Sequence, residues 1–324
     1  MSFAPHKIRV GVLRGGPSPE YEVSLNTGAA ILSNLPENCE PLDILISRDG
    51  LWHERGHQKN PGDILKKVDA VINGLHGAYG EDGEVQKLLD AFGVPYSGSG
   101  ALSSAIAMNK IAAKKIYKNH SLKTPYFLSI PFENLSKQTI RNVYQSLTAP
   151  FVVKPSGTGS SIGVYIVQSL PELEEAVVAA AQYSPAVIIE EFIGGKEATC
   201  GIIEDFRGKE RYSLLPVEIR PRGGFFDYHS KYGDLGAEEI CPGNFSQDES
   251  TAIQQMAAAA HRALGLRHYS RSDFIIHPKR GIFILETNTL PGLTEKSLIP
   301  KSLQAIGSNI KEFISHLLSK TLKK

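Results

Sequence analysis

The sequence predicts an α/β protein of two or three domains that share one site. Its 324 residues exceed the length at which a single hydrophobic core usually stops growing. A strand, a glycine loop and a helix open the chain in the order of an α/β unit. Near the other end, two apolar, β-branched runs flank a Pro/Gly turn and read as a hairpin.

Composition narrows the function. Hydrophobic residues make up 41% and charged residues 21% of the chain, an ordinary balance for a soluble globular protein. With 35 Lys plus Arg against 34 Asp plus Glu, a formal charge of +1 and no run of like charge, the expected partners are small molecules, with no nucleic acid and no membrane. Cys39, Cys200 and Cys241 lie far apart without a CxxC spacing. This argues against a disulfide framework and against zinc, and for a reducing, cytoplasmic compartment. The first residues lack the apolar core of a targeting signal, and no run reaches the roughly 20 apolar residues of a membrane span.

The first strand covers residues 7–13 and stops at Arg14-Gly15-Gly16-Pro17-Ser18-Pro19-Glu20-Tyr21-Glu22, before a helix over 23–35. Glu20 and Glu22 stand at that helix start, where an acid can serve simply by favouring the helix dipole. Strands over 42–46 and 70–75 follow, the second running into His76-Gly77-Ala78-Tyr79-Gly80-Glu81-Asp82-Gly83. Its glycines mark backbone that must pass close to something, while His76 taken alone reads as a turn residue. Val85, Leu88, Leu89 and Phe92 give a helix, with a short strand at 94–96 behind it. Gly98-Ser99-Gly100 reads as a boundary, and one amphipathic helix then runs through Met108, Lys110, Lys114 and Lys115.

A strand over 151–154 ends in Pro155-Ser156-Gly157-Thr158-Gly159-Ser160-Ser161-Ile162-Gly163, before a second strand at 164–167. Small residues with free N–H groups and hydroxyls suit a flap over phosphates, and equally a plain glycine hairpin. The segment is neither a Walker A loop nor GxGxxG. Residues 187–189 form an apolar strand running into Glu190 and Glu191. It either presents backbone and a carboxylate to an adenine or ends at the surface. The glycine-rich, aromatic stretch 222–233 is a long loop, of the length that marks a lid or disorder. Ser246 and Glu249 make a capping box for a helix bearing Ile253, Met256, Ala257, Ala260 and Leu264, and residues 310–322 give a terminal amphipathic helix.

The hairpin carries the most chemistry. If residues 278–281 form a four-residue loop, His277 pairs with Ile282. Counting outward then sets Asp273 opposite Glu286, with Asn288 two residues further on the same face. Facing carboxylates repel unless a cation sits between them, and all-oxygen ligands suit magnesium rather than zinc. Solvated acids on an outer face, or a one-residue slip of register, are the competing readings.

In this order the pieces resemble the D-alanine–D-alanine ligases of the ATP-grasp superfamily. The resemblance runs from Gly11 to Ser302. It rests on Gly15-Gly16 with residues 20–25, His76-Gly77 with Gly80-Glu81-Asp82-Gly83, Gly98-Ser99-Gly100 and Met108-Asn109-Lys110. Further along it includes Lys154-Pro155 with Gly159-Ser160-Ser161, Asp227-Tyr228 with Lys231-Tyr232, Arg271 with Asp273, and residues 286–292 with Ser297-Leu298. Residues 48–68 and 130–148 carry little of it.

The resemblance implies a three-domain ATP-grasp fold, α/β overall and α+β in its central and C-terminal parts. A Rossmann-like parallel-sheet substrate domain covers 1–103, a central ATP-grasp subdomain 104–193, and a C-terminal ATP-grasp and metal-binding domain 194–324. It implies ATP-dependent joining of two D-alanines through an acyl phosphate, for peptidoglycan precursor synthesis, by a cytoplasmic homodimer. Two magnesium ions, or manganese in their place, would be held by Asp273, Glu286 and Asn288.

Lys110 and Lys154 would hold the phosphates, Glu190 the adenine amino group and Glu197 the ribose, with Ser160, Ser161, Glu191, Phe192 and Ile193 also at the nucleotide. Glu20 would bind the first ammonium with His76 nearby, and would form a hydrogen-bonded triad with Ser160 and Tyr232. Lys231 and Ser297, beside Leu298, would take the second carboxylate. Arg271 and the Gly292 N–H would stabilise the oxyanion.

The departures are Phe226, His229 and Ser272, where relatives more often carry tyrosine, glutamate and a small aliphatic residue. Tyr232 favours D-alanine over D-lactate as second substrate. D-serine or D-lactate use, or a non-catalytic nucleotide-binding homologue, are the alternatives.

Overall fold

The computed structural model describes residues 7–221 and 237–323. Three sheets take successive stretches of chain. In the first, β1 (Ile8–Gly15) pairs in parallel with β2 (Cys39–Ile46) on one side and β5 (Ala70–Asn73) on the other. The apolar runs read as buried strands are therefore the parallel core. An antiparallel extension that the sequence reading did not identify, β3 (Trp52–Glu54) and β4 (His57–Gln58), continues from β2. Helices α1 (Tyr21–Ser33), α2 (Pro61–Leu65) and α3 (Glu84–Ala91) belong to this part, and residues 94–96 contribute only a parallel bridge, Val71 to Tyr96.

The single helix expected through Lys110 is two, α4 (Ala101–Met108) and α5 (Lys110–Asn119). Asn109 breaks it. Its backbone is extended, and its side chain accepts the N–H groups of Ile111 and Ala112 at 3.1 and 3.0 Å, so it caps rather than continues a helix. Lys110 thereby starts a new helix, where its own N–H bonds Ser156 O at 2.8 Å.

The second sheet is antiparallel, with strands β6 (Phe127–Pro131), β7 (Phe151–Pro155), β8 (Tyr165–Val167) and β9 (Ala186–Glu191) in the order β6-β9-β7-β8. Helices α6 (Lys137–Ser146) and α7 (Leu170–Ala180) bury Ile140, Val143, Leu173 and Val177 against Phe151 and Val153.

The third sheet is centred on β10 (Lys196–Phe206), which pairs with β11 (Lys209–Ser213), β12 (Val217–Pro221) and β14 (Tyr269–His277). Strand β13 (Ala237–Ile240) lies outside β12, and β15 (Gly281–Asn288) outside β14. The capping box at Ser246 and Glu249 is present and starts α8 (Gln247–Ala263), which packs Ile253, Ala257 and Ala260 over Ala198, Ile202 and Phe274. The chain continues through α9 (Leu298–Ala305) to α10 (Ile310–Leu322). In α10, Phe313, Ile314, Leu317 and Leu318 share one core with Val10, Val12 and Ile72 of the first sheet.

The hairpin register differs from the count along the sequence in two places that cancel. His277 pairs with Gly281, leaving a three-residue loop, and a bulge beside Phe274 skips Leu285. Asp273 still faces Glu286, and Asn288 faces Arg271.

The boundary at Gly98 is tied to the third sheet. Gly98 N donates to His268 Nδ1 at 3.1 Å, His268 N donates to Glu204 Oε2 at 2.7 Å, and Arg267 Nε donates to Gly98 O at 2.7 Å. Burial, with help from Arg267, pushes the His268 pKa down to about 4. The unfolded chain takes this proton near pH 6.5 and the folded one does not until about pH 4, so stability falls as pH drops between those values. The loss is on the order of 2–3 kcal/mol. His268 has φ +66°, a conformation asparagine tolerates, so His268→Asn should fold and lack this part of the pH dependence. Denaturant unfolding at pH 7, 5.5 and 4.5 checks it; identical pH slopes in the two proteins would contradict it.

Candidate active site

Alternation along β10 and β14 places Glu197, Thr199, Arg271 and Asp273 on one face of the third sheet, with Glu286 and Asn288 beside them on β15. Arg271 grips Asp273 through two hydrogen bonds, Nε to Oδ1 at 3.0 Å and Nη2 to Oδ2 at 2.9 Å, and Thr199 Oγ1 donates to Asp273 Oδ1 at 2.6 Å. Burial disfavours the Arg271 charge, but Asp273 and Glu286 outweigh it and hold the guanidinium above its usual pKa. Asn288 Oδ1 accepts the Leu290 N–H at 2.9 Å. Behind this face Ser272, Thr287 and Tyr117 form a buried hydroxyl chain, with Oγ to Oγ1 at 2.9 Å and the Tyr117 hydroxyl donating to Thr287 at 2.8 Å.

The lysines meet this face from the second sheet and α5. Lys110 Nζ lies 2.8 Å from Glu286 Oε2 and donates to Thr158 O in the glycine loop at 2.8 Å. Lys154, at the end of β7, lies 2.8 Å from Glu190 Oε2, and Lys114 lies 3.0 Å from Glu190 Oε1. Burial opposes the Glu190 charge, yet the two lysines hold its pKa below the usual carboxylate range. Each of these basic groups lies against a carboxylate of the same site.

From the first sheet, the loop after β1 brings Glu20 under the glycine loop, where the Ser160 hydroxyl donates to its Oε1. Burial and the nearby Glu81 push the Glu20 pKa up, against the Ser160 hydrogen bond and His76. Ser160 and Ser161 have φ +51° and +57°, left-handed conformations that cost energy unless surrounding contacts impose them. His76 is buried, 2.7 Å from Thr27 Oγ1 and 3.8 Å from Glu81 Oε1. Gly292 and Ser297 adjoin: a Cβ on Gly292 would meet Ser297 Oγ at 2.8 Å. Leu298 opens α9, partly buried.

Most sequence-predicted residues therefore converge. The Glu191 carboxylate is taken by Arg280, at 2.9 and 3.0 Å, and the Phe192 N–H by Pro150 O at 3.2 Å, so these two contribute other groups if they meet a nucleotide. Ile193 is buried. Lys231, Tyr232, Phe226 and His229 lie outside the described residues. The reading missed Lys114 as a site residue, although it stands one helical turn after Lys110, and it missed Thr199. Among the described residues no three of His, Cys, Asp or Glu group as a metal centre. The Asp273, Glu286 and Asn288 set is two carboxylates and an amide, hard oxygen donors that fit magnesium or manganese. No helix among those residues is long and apolar enough to cross a membrane.

Two family models match the chain, D-ala D-ala ligase N-terminus over residues 9–99 and D-ala D-ala ligase C-terminus over residues 116–319. The chain belongs to the D-alanine–D-alanine ligase family. The D-alanine–D-alanine ligase of Leptospira interrogans is 36% identical over 98% of this chain and 99% of that protein. That of Citrifermentans bemidjiense is 38% identical over 96% and 95%. Among solved structures, the VanG D-Ala:D-Ser ligase from Enterococcus faecalis superposes with a TM-score of 0.86 at 28% identity, covering 97% of this chain and 99% of its own. The D-alanine–D-alanine ligase from Bacillus anthracis gives 0.79 at 31% identity, covering 98% of each.

Gly77, which follows His76, is tightly constrained. It has φ +70°, and a Cβ would lie 2.8 Å from Glu20 Oε2 and 2.9 Å from Ser18 Oγ. Gly77→Ala should therefore displace Glu20 and cost about 1–3 kcal/mol of stability. Urea unfolding measures it, and an unchanged midpoint would contradict the assignment.

Proposed function

We propose that this protein joins two D-alanines to D-alanyl-D-alanine with ATP, forming ADP and phosphate. The observation that carries the reading is the convergence of Lys110, Glu286, Asp273 and Arg271 on one sheet face, closed over by the glycine loop through Ser160 and Glu20. The first D-alanine carboxylate attacks the γ-phosphate, and ADP leaves. The second D-alanine's amine then attacks the acyl phosphate carbon, and phosphate leaves.

Lys110 and Lys154 bind phosphate oxygens, each exchanging a carboxylate partner for them. Glu190 accepts from the adenine amino group, and Glu197 binds the ribose. Asp273, Glu286 and Asn288 would hold two magnesium ions, which would offset phosphate charge.

Glu20 is a half-buried acid with a raised pKa, an environment that a substrate ammonium relieves. His76 lies beside it. Arg271, held charged by its acidic neighbours, faces the developing oxyanion together with the Gly292 N–H. Ser297 receives the second carboxylate. The closed glycine loop excludes water, which would hydrolyse the acyl phosphate. The protein works as a cytoplasmic homodimer of three-domain subunits, in making a peptidoglycan precursor. A second reading, D-serine as the second substrate, is favoured by the likeness to the VanG D-Ala:D-Ser ligase.

The deciding experiment is phosphate release from ATP and magnesium with D-alanine, L-alanine, D-alanine plus D-serine, or no amino acid, with mass detection of the product. Release that needs D-alanine and yields its dipeptide supports the proposal. A preferred D-alanyl-D-serine product moves the specificity, and no release with any acid sinks the enzymatic reading. In the same assay, Arg271→Ala should lower kcat about 10²–10³-fold, the effect of losing an oxyanion donor. Near-wild-type kcat would remove that role. Glu286→Gln should shift the magnesium response to higher concentration, and an unshifted response would remove it from the metal set.

A further inference from the structure

Lys114 lies deeper than either lysine assigned to phosphate. Its side chain is 0% exposed, with Nζ 2.6 Å from Thr124 Oγ1 and 3.0 Å from Glu190 Oε1. The ring of Phe127 covers it at 5.8 Å. Lys154 holds the opposite oxygen, Glu190 Oε2, at 2.8 Å. One buried carboxylate therefore sits between two ammonium groups, of which only Lys154 is needed at the phosphates. Lys114 Nζ is the one partner of Glu190 Oε1 among the described residues, and a carboxylate oxygen has lone pairs for a second donor besides it.

We propose that Lys114 is the fixed counter-ion that keeps Glu190 ionised and aimed when Lys154 transfers to the nucleotide phosphates. It thereby sets the preference for a 6-amino over a 6-oxo purine. This rests on the reading of Glu190 as the adenine partner.

A carboxylate enclosed without a counter-charge is strongly disfavoured, and removing one partner of a buried pair leaves that situation behind. With Lys114 in place, the departure of Lys154 leaves a neutral, tightly held Lys114–Glu190 pair. Without Lys114, Lys154 is the remaining partner and must abandon either Glu190 or the phosphate. An ionised carboxylate accepts from a 6-amino group and repels a 6-oxo group. A neutral acid or an amide at that place can donate to the 6-oxo group instead. Lys114 is a positioning residue, since it reaches the nucleotide only through Glu190.

The test compares kcat/KM for ATP and for inosine triphosphate in the wild type, Lys114→Met and Glu190→Gln. Lys114→Met should raise the KM for ATP about tenfold or more and lower the ATP-to-inosine-triphosphate ratio by a similar factor, the scale of one charged hydrogen bond. The kcat at saturating ATP should change far less. Glu190→Gln should lower the same ratio. If Glu190→Gln lowers it and Lys114→Met loses activity equally with both nucleotides, Lys114 is merely structural and the proposal falls while the Glu190 reading stands. If neither variant changes the ratio, Glu190 does not read the base, and both fail. Should Lys114→Met not fold, Lys114→Gln is read by the same criteria.

Discussion

The site depends on mutual neutralisation of buried and half-buried charge where the second and third sheets meet. Lys110 pairs with Glu286, Lys154 and Lys114 with Glu190, and Arg271 with Asp273. Enclosed charges are tolerated only when paired. Each pair joins a group assigned to phosphate, oxyanion or base with a carboxylate assigned to metal or adenine. A ligand that brings both phosphate and cations can replace both halves of such pairs at once. The acids and bases that order the cleft are thus the ones proposed to receive the substrate.

The first sheet supplies the other wall. Glu20 reaches Ser160 across 140 positions of sequence, which couples the loop after β1 to the glycine loop. That coupling is held by the packing of α10 on the first sheet and by the Gly98–His268–Glu204 bonds. Local glycines allow the close approach: Gly77 leaves room for the Glu20 carboxylate.

Much of this was legible in the sequence, for physical reasons that can be named. The parallel strands and the capped helix α8 follow from apolar runs and from the Ser246–Glu249 pair. The Asp273–Glu286 pairing was reached through a loop one residue too long and a bulge not anticipated, errors that cancel because each shifts the register by one. The break at Asn109 was hidden by continuous amphipathic spacing, which does not report a cap in its midst. Strands β11 and β13 are not legible in the sequence because Lys209–Ser213 and Ala237–Ile240 are short and largely polar. Amphipathic spacing through Lys110, Lys114 and Lys115 does not single out Lys114, since only tertiary packing encloses its ammonium. Ser272, which departs from the family's usual small aliphatic residue, is satisfied by Thr287 in a buried hydroxyl chain with Tyr117.

The most direct test of the charge-exchange account is a crystal structure with magnesium and a non-hydrolysable ATP analogue. The account predicts that Lys110 Nζ leaves Glu286, and Lys154 Nζ leaves Glu190, for phosphate oxygens, while Lys114 stays on Glu190 and Glu286 turns to metal. A bound analogue with Lys110–Glu286 and Lys154–Glu190 still paired as they are here would contradict it.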